Sequence, residues 1–299
     1  MNTVKVKAFA KVNLTLEIVG VQDGFHMLNS VVASVDLFDL IVLKKRKDKL
    51  SFVEMKGVDA SSIPPERNNT WKAVERFSEK FGVNGANVTV YRNIPAGAGL
   101  GGSSADISGA LIGMAKLYNV QDKDGIIEIA NELGSDTRYM LDGGFARMQG
   151  RGEKVEFFSS NATLYFLAIC PKTPVLSGEC YRQCDKNPTG GEKGATEKCM
   201  RALIENNPFE VGKCLTNDLF TPAVQLNDDV RIAYEEAQSF SPLGVVMTGS
   251  GSCVLAMFET RELAEWAKSR YRGKYACFTC KTVAKKDTKK WKNPFVLGE

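Results

Sequence analysis

Polar and apolar positions alternate through the first part of the chain. Val4 to Phe9 predicts a strand, and Ala10 to Ile18 alternates again. Successive strand side chains point to opposite sides, so Lys11, Asn13 and Thr15 share one face and Val12, Leu14 and Leu16 the other. Asp23-Gly24 signals a turn. Val31–Leu37 and Asp39–Lys45 predict two more strands, and Lys44–Lys49 a charged hairpin. Residues 71–81 read as a helix capped by Thr70. Val88–Tyr91 alternates as a strand. Ala105, Ile107, Ala110, Leu111, Met114 and Leu117 then space out one helical face. Ile126–Leu133 is a short helix ended by Gly134.

The pattern changes near residues 150–163, which divides the chain into 1–155 and 156–299. Leu164–Ile169 is an apolar run that predicts a buried strand opening the second unit. Helices follow at Glu197–Glu205, Val230–Phe240 and Arg261–Tyr271. Val245–Phe258 reads as strand, glycine turn, strand, and Ala276–Val283 as a last strand. Asp185–Gly194, rich in Lys, Asn, Pro and Gly, predicts a flexible loop.

Between the strand at 88–91 and the helix from Ala105 lies Asn93-Ile-Pro-Ala-Gly-Ala-Gly-Leu-Gly-Gly-Ser-Ser104. Gly97, Gly99, Gly101 and Gly102 let the backbone come close to a ligand and adopt positive φ. A helix start leaves N–H groups unpaired and carries partial positive charge. Strand, glycine loop and helix together suit a nucleotide's phosphates. The plainer reading is a glycine-rich turn with a serine cap. No lysine follows the glycines, so this is not a GxxxxGK[ST] loop. No acidic ribose partner stands at dinucleotide-binding spacing.

Composition narrows the class. The 299 residues are 43% hydrophobic and 25% charged, as in a globular protein, with room for one large domain or two ordinary ones. The net charge of +4 and the short basic run Lys285–Lys290 do not argue for nucleic acid. The N-terminus lacks a signal-like apolar core, and no run is long enough to span a membrane, which predicts a cytoplasmic protein. The eight cysteines are irregularly spaced and are expected to be free thiols. Cys277-Phe-Thr-Cys280 is a lone CxxC, and His26 is the one histidine, so no metal site is expected.

Pro95-x-x-x-Gly-Leu-Gly-x-Ser-Ser-Ala105 resembles the phosphate loop of the GHMP kinases, the group of galactokinase, homoserine kinase and mevalonate kinase. Other segments resemble, in order, the motifs of the branch that phosphorylates a cytidine diphosphate alcohol. They are Ala10-Lys-Val-Asn-Leu14, Asp23-Gly-Phe-His26, Leu133-Gly-Ser-Asp136, Gly150-Arg-Gly-Glu153, Asn217-Asp-Leu219 and Met247-Thr-Gly-Ser-Gly-Ser-Cys253. The match runs from residue 8 to about 256.

The resemblance implies an α+β kinase with a ribosomal-S5-like N-terminal domain and a ferredoxin-like C-terminal domain, and an active site between them. It implies ATP and Mg²⁺, with the phosphates resting on Pro95, Ala96, Gly97, Ala98, Gly99, Leu100, Gly101, Gly102, Ser103, Ser104 and Ala105. Lys11 and Asp136 would be catalytic, Asp136 also meeting the substrate. Asn13 would hold the alcohol. Phe25, His26 and Tyr181, with Ser177 on the same segment as Tyr181, would hold the cytidine end. The chain would be a monomer or homodimer with a small-molecule substrate and neither a nucleic-acid nor a membrane partner.

Each residue also has a plainer reading. Lys11 could be a solvated strand lysine and Asp136 a helix cap. His26 could be a structural hydrogen bonder, Tyr181 a surface residue and Gly249-Ser-Gly251 a tight hairpin. Asn217-Asp218-Leu219 reads as structural. A small-alcohol kinase of the same group, acting on homoserine or mevalonate, and a nucleotide-binding regulator without catalysis remain alternatives. The chain departs from the branch's pattern in placing Ser103 at the third glycine, Ala105 at the second serine, Met27 at a usual glutamate and Thr137-Arg-Tyr139 at Val-Pro-Phe.

Overall fold

The computed structural model describes residues 2–58, 64, 67–186 and 193–283. Alternation along β1 (Thr3–Asn13) buries Val4, Val6, Ala8 and Ala10. β2 (Thr15–Gln22) follows after a break at Leu14, then a two-residue turn with Asp23 and Gly24 at positive φ, then β3 (Phe25–Lys45). β3 is one strand of 21 residues, where the sequence predicts two shorter ones. It pairs antiparallel with β1 and β2. The β1–β3 register shifts between Phe9 and Lys11, and the Lys11 N–H donates to Leu100 O at 3.0 Å. Irregularities of this kind re-aim side chains. This one ties Lys11 to the glycine loop.

β4 (Phe52–Gly57) does not return on β3, so residues 44–49 are not a hairpin; it runs parallel to β5 (Ala86–Arg92), which itself pairs with β3. The charges there close a local turn instead, with Arg46 bidentate on Asp48. α1 (Asn69–Phe81) lies between β4 and β5 in sequence. Its cap is Asn68, which accepts from Thr70 N and Trp71 N, and not Thr70, which is buried inside the first turn. Both residue types cap helices; packing of Thr70 decides between them here.

α2 (Gly102–Tyr118) is apolar almost all round because it lies in the core. A Cβ at Gly109 would sit 2.6 Å from Ile41 Cδ1, and one at Gly113 2.2 Å from Leu43 Cδ1. These two glycines, one turn apart, let the helix settle on β3. α3 (Lys123–Leu133) and α4 (Thr137–Met140) precede the hairpin of β6 (Phe145–Gly150) and β7 (Lys154–Phe158), which completes the first sheet beside β3.

β8 (Tyr165–Cys170) belongs to a second sheet. α5 (Ser177–Lys186), α6 (Ala195–Ile204) and α7 (Pro208–Cys214) follow, then β9 (Thr216–Asn217), which adds parallel to β2 in the first sheet. α8 (Phe220–Leu226) and α9 (Asp229–Gln238) lead to β10 (Gly244–Met247), β11 (Val254–Phe258), α10 (Arg261–Arg270) and β12 (Ala276–Lys281). The second sheet has the antiparallel order β10-β11-β8-β12, the ferredoxin-like arrangement the resemblance implied. Phe166, Ala168, Leu255 and Met257 face the main core, and Leu167, Ile169, Val254 and Ala256 face a second core with α9 and α10. Burial on both faces explains the unbroken apolar run of β8.

Two sequence expectations need further comment. Cys170 and Cys253 are not free: they form a disulfide between the end of β8 and the residue before β11, and the other six cysteines take no part in it. The pairing joins residues 83 apart, which spacing alone does not reveal. Residues 187–192 of the expected loop at 185–194, and the basic run at 285–290, lie outside the described residues; Asp185 and Lys186 end α5.

Candidate active site

The glycine loop runs from the end of β5 to the start of α2. Gly97, Gly99 and Gly101 have φ of +66°, +78° and +73°. A Cβ at Gly99 would lie 2.0 Å from Thr248 O, so the loop packs backbone on backbone against the Gly249-Ser250-Gly251 turn. Cys253 N donates to Ala98 O across the same junction. The hairpin reading of that turn is therefore incomplete, since the turn also shapes the loop. Gly101 caps α2 without a side-chain bond. The first-turn residues Gly102, Ser103 and Ser104 line a cavity of about 440 Å³ together with Pro95 to Gly101, Lys11, Arg92, Asp136, Pro174 to Ser177 and Gly249 to Gly251. Ala105 is buried behind this wall and does not line it.

A second cavity of about 210 Å³ is lined by Asn13, Leu16, Leu28, Ser30, Met148, Arg151, Tyr181 and Leu219 among others. Lys11, Asp136, Ser177, Gly249 and Ser250 line both cavities. The two spaces therefore meet at one polar wall.

Lys11 is only 5% exposed, so it is not a solvated strand lysine. Its Nζ donates to Asn13 Oδ1 at 2.6 Å and lies 3.3 Å from Asp136 Oδ2. Asp136 occupies the cap position of α4, yet its side chain makes no cap bond. The carboxylate faces Lys11 instead, with its side chain 26% exposed. Asn13 lines the second cavity, but its amide is engaged: Oδ1 also accepts from Gly249 N at 3.0 Å, and Nδ2 donates to Ser30 Oγ at 2.8 Å. It fixes Lys11 as well as lining the cavity.

Of the aromatic residues, Tyr181 lines the second cavity, while His26 and Phe25 do not. His26 stacks on Tyr181 with ring centroids 4.9 Å apart, and its Nε2 donates to Asp185 Oδ1 at 2.8 Å. Burial, and after it the Asp136 charge, push the Tyr181 hydroxyl up, so it stays protonated. Phe25 is 51% exposed and does not line the cavity; the Arg151 guanidinium lies 4.3 Å from its ring centre. Ser177 opens α5 and shares a hydrogen bond of 2.9 Å with Ser250. Asn217 is structural as expected, donating to Met247 O and Gly249 O.

Sequence reasoning passed over Arg92, Arg151 and Thr248. Arg151 and Thr248 stand inside motifs quoted above, without a role. The Thr248 hydroxyl accepts from Asn13 N at 3.0 Å, a link across 235 positions with no local signal. Two departures are accommodated by their surroundings. Tyr139 is fully buried, and its hydroxyl donates to Gly144 O and meets Ser34 Oγ at 3.0 Å. Arg138 donates to Asp142 at 2.7 Å.

Among the described residues no cluster of three or more His, Cys, Asp or Glu could hold a metal ion. Asp136 is the one carboxylate lining the first cavity. That set fits a magnesium ion carried in on a nucleotide's phosphates, with Asp136 its available carboxylate, and not an all-protein cage.

A Cβ at Gly101 would lie 2.3 Å from Met140 Cε and 3.1 Å from Lys11 Cγ, not in the phosphate space. Gly101→Val is therefore expected to act by strain at positive φ and by displacing Lys11. Strain of about 1–3 kcal/mol should weaken an ATP analogue about tenfold or more, read by calorimetric titration. Unchanged affinity in a folded variant would reduce the loop to an ordinary turn.

Comparison with known proteins extends this geometry. The GHMP kinases N terminal domain family matches residues 68–146, and the GHMP kinases C terminal family residues 199–277. A 4-diphosphocytidyl-2-C-methyl-D-erythritol kinase from Clostridium tetani is 30% identical over 276 residues, covering 91% of this chain and 96% of that protein. One from Carboxydothermus hydrogenoformans is 33% identical over 259 residues, covering 86% and 88%. A crystal structure of 4-(cytidine 5'-diphospho)-2C-methyl-D-erythritol kinase superposes with a TM-score of 0.78 at 24% identity, covering 93% of this chain and 98% of that one. No helix among the described residues is long and apolar enough to cross a membrane.

Proposed function

The chain belongs to the GHMP kinase family, and from that premise we propose that it transfers the γ-phosphoryl group of ATP to the 2-hydroxyl of 4-diphosphocytidyl-2-C-methyl-D-erythritol, a step of non-mevalonate isoprenoid precursor biosynthesis. It is a small-molecule kinase. The observation that carries the reading of the site is the shared wall, where Lys11 and Asp136 border both the cavity lined by the glycine loop and the one lined by Tyr181.

ATP lies with its phosphates on residues 95–104, against the first-turn N–H groups of α2. The alcohol enters the second cavity with its 2-hydroxyl toward Asp136. Asp136 takes the hydroxyl proton as the oxygen attacks the γ-phosphorus and the bond to the β-phosphate oxygen breaks, leaving ADP. Lys11, held by Asn13, neutralises charge that builds on the attacking oxygen and the transferred group. Magnesium, when bound with ATP, offsets phosphate charge. His26 and Tyr181 give the cytosine a stacking surface, Phe25 and Arg151 flank its approach, and Ser177 borders the wall. We assign the chain up to about residue 155 to the ATP-binding domain and the rest to the C-terminal domain; β7 stays with the first sheet to Phe158, so the change of sheet before Tyr165 moves that boundary a few residues later, between 159 and 164.

Small acyclic alcohols need no aromatic stack such as His26–Tyr181, which disfavours homoserine or mevalonate. A regulator without catalysis has no need of an intact Lys11–Asp136 pair. ADP release with a panel of the cytidine diphosphate alcohol, homoserine and mevalonate tests the reading. The first should be turned over and the other two not; turnover of either small alcohol alone would overturn it. Within that reading, His26→Ala with Tyr181→Ala should weaken the substrate by about 1–3 kcal/mol, the worth of base stacking on an aromatic, and leave ATP affinity unchanged. Equal substrate affinity in parent and variant would move the cytidine site elsewhere.

A further inference from the structure

Three buried polar atoms beneath the glycine loop have no hydrogen-bond partner of the usual kind: Asp39 Oδ2, Asp106 Oδ1 and Arg92 Nε. Asp39, on β3, is fully buried, and its Oδ1 accepts from Asn93 N at 2.6 Å and Ile94 N at 2.8 Å, the two residues that lead into the loop. Asp106 is 2% exposed and stands near the start of α2, on the helix that leaves the loop. The two carboxyl groups are within hydrogen-bonding reach of each other. Arg92, from β5, is the charged group that faces them, with Nε 3.9 Å from Asp106 Oδ2. That separation is too long for a hydrogen bond.

Two ionised carboxylates against one loosely placed guanidinium would leave a net negative charge buried with unsatisfied oxygens, which is costly. One shared proton removes the difficulty. It gives a partner to the two oxygens that otherwise lack one. The remaining charge rests on Asp39, where two backbone N–H groups already stabilise it. Asp106 is then the donor.

We propose that Asp106 is a protonated positioning residue which, through one proton shared with Asp39, fastens the two ends of the phosphate loop together and so sets ATP affinity. This rests on the reading of that loop as the nucleotide site. Burial, and after it the Asp39 charge, hold Asp106 well above the usual carboxylate range. The folded chain therefore keeps a proton that the unfolded chain has lost. Stability falls as pH rises above the ordinary carboxylate value, and loop order is lost only where folded Asp106 gives up its proton.

The test is calorimetric binding of a non-hydrolysable ATP analogue between about pH 7 and about pH 9.5, above ordinary carboxylates and below lysine. The parent should lose affinity toward the alkaline end. Asp106→Asn puts an amide N–H where the shared proton stood; it should keep the neutral-pH affinity and show no alkaline loss. Asp106→Ala leaves a buried Asp39 oxygen unsatisfied and should weaken binding about tenfold. Should the alanine variant not fold, the asparagine profile decides. An asparagine variant that binds much more weakly than the parent at neutral pH, or that keeps the parent's alkaline loss, overturns the shared proton, as does a parent with a flat profile. A parent that fails to bind the analogue overturns the kinase reading and this proposal with it.

Discussion

Asp136→Asn is expected to slow phosphoryl transfer by about 10²–10⁴-fold, the usual worth of a general base, with ATP and substrate affinities little changed. Asparagine keeps the size of the side chain and can accept one hydrogen bond, but it takes up no proton at neutral pH. The α4 cap cannot account for such a loss, because the Asp136 side chain makes no cap bond. Asparagine is in any case nearly as good a cap as aspartate. Single-turnover phosphorylation with both ligands saturating separates chemistry from binding. A rate like the parent's would remove Asp136 from the proton transfer and leave the site to act by positioning and charge.

Lys11→Met should cost about 10²–10³-fold in kcat, the scale seen when one donor to a developing negative charge is removed. Methionine retains the apolar stem that packs beside Gly101 and withdraws only the ammonium. The ammonium touches both Asn13 and Asp136, so its loss also leaves the Asp136 carboxylate without its cation. The measurement is kcat and KM for both substrates, with thermal unfolding as a check on the fold. A change confined to the KM for ATP would make Lys11 a phosphate anchor and not a participant in the transfer. Combining Lys11→Met with Asp136→Asn should cost less than the product of the single losses, because residues that act as a unit are not additive.

Much of this site was legible because its chemistry sits in short, contiguous signals. The glycines at 97, 99, 101 and 102 announce both the close backbone approach and the uncapped helix behind it. Leu133-Gly-Ser-Asp136 and Ala10-Lys-Val-Asn-Leu14 could be read only by resemblance, since a lone strand lysine and an aspartate before a helix have commoner explanations. Burial settles the first, because Lys11 is enclosed where a solvated lysine would not be. The direction of a side chain settles the second. The rest depends on partners distant in sequence. Whether β4 returns on β3 or crosses to β5 is a choice of neighbour that charge patterning cannot express. The cap at Asn68 competed with Thr70 two positions on, and only packing distinguishes them. The seven-residue helices α7 and α8 carry too few turns to impose a clear period. The Asp39–Asp106 pair joins residues on different elements, each unremarkable by itself.

The wall common to the two cavities has a consequence for how such an enzyme can be altered. Leu16, Leu28, Met148 and Leu219 border the acceptor space and no part of the phosphate space. Exchanging them would retailor the accepted alcohol without disturbing the donor. Lys11, Asp136, Ser177, Gly249 and Ser250 allow no such separation, since each lines both cavities. A laboratory search for new acceptors would therefore do best to randomise the first set and freeze the second. An inhibitor that joins a nucleotide to an alcohol by a tether running past Lys11 and Asp136 would occupy both cavities along the wall they share, and resistance to it would have to arise where the enzyme can least tolerate change.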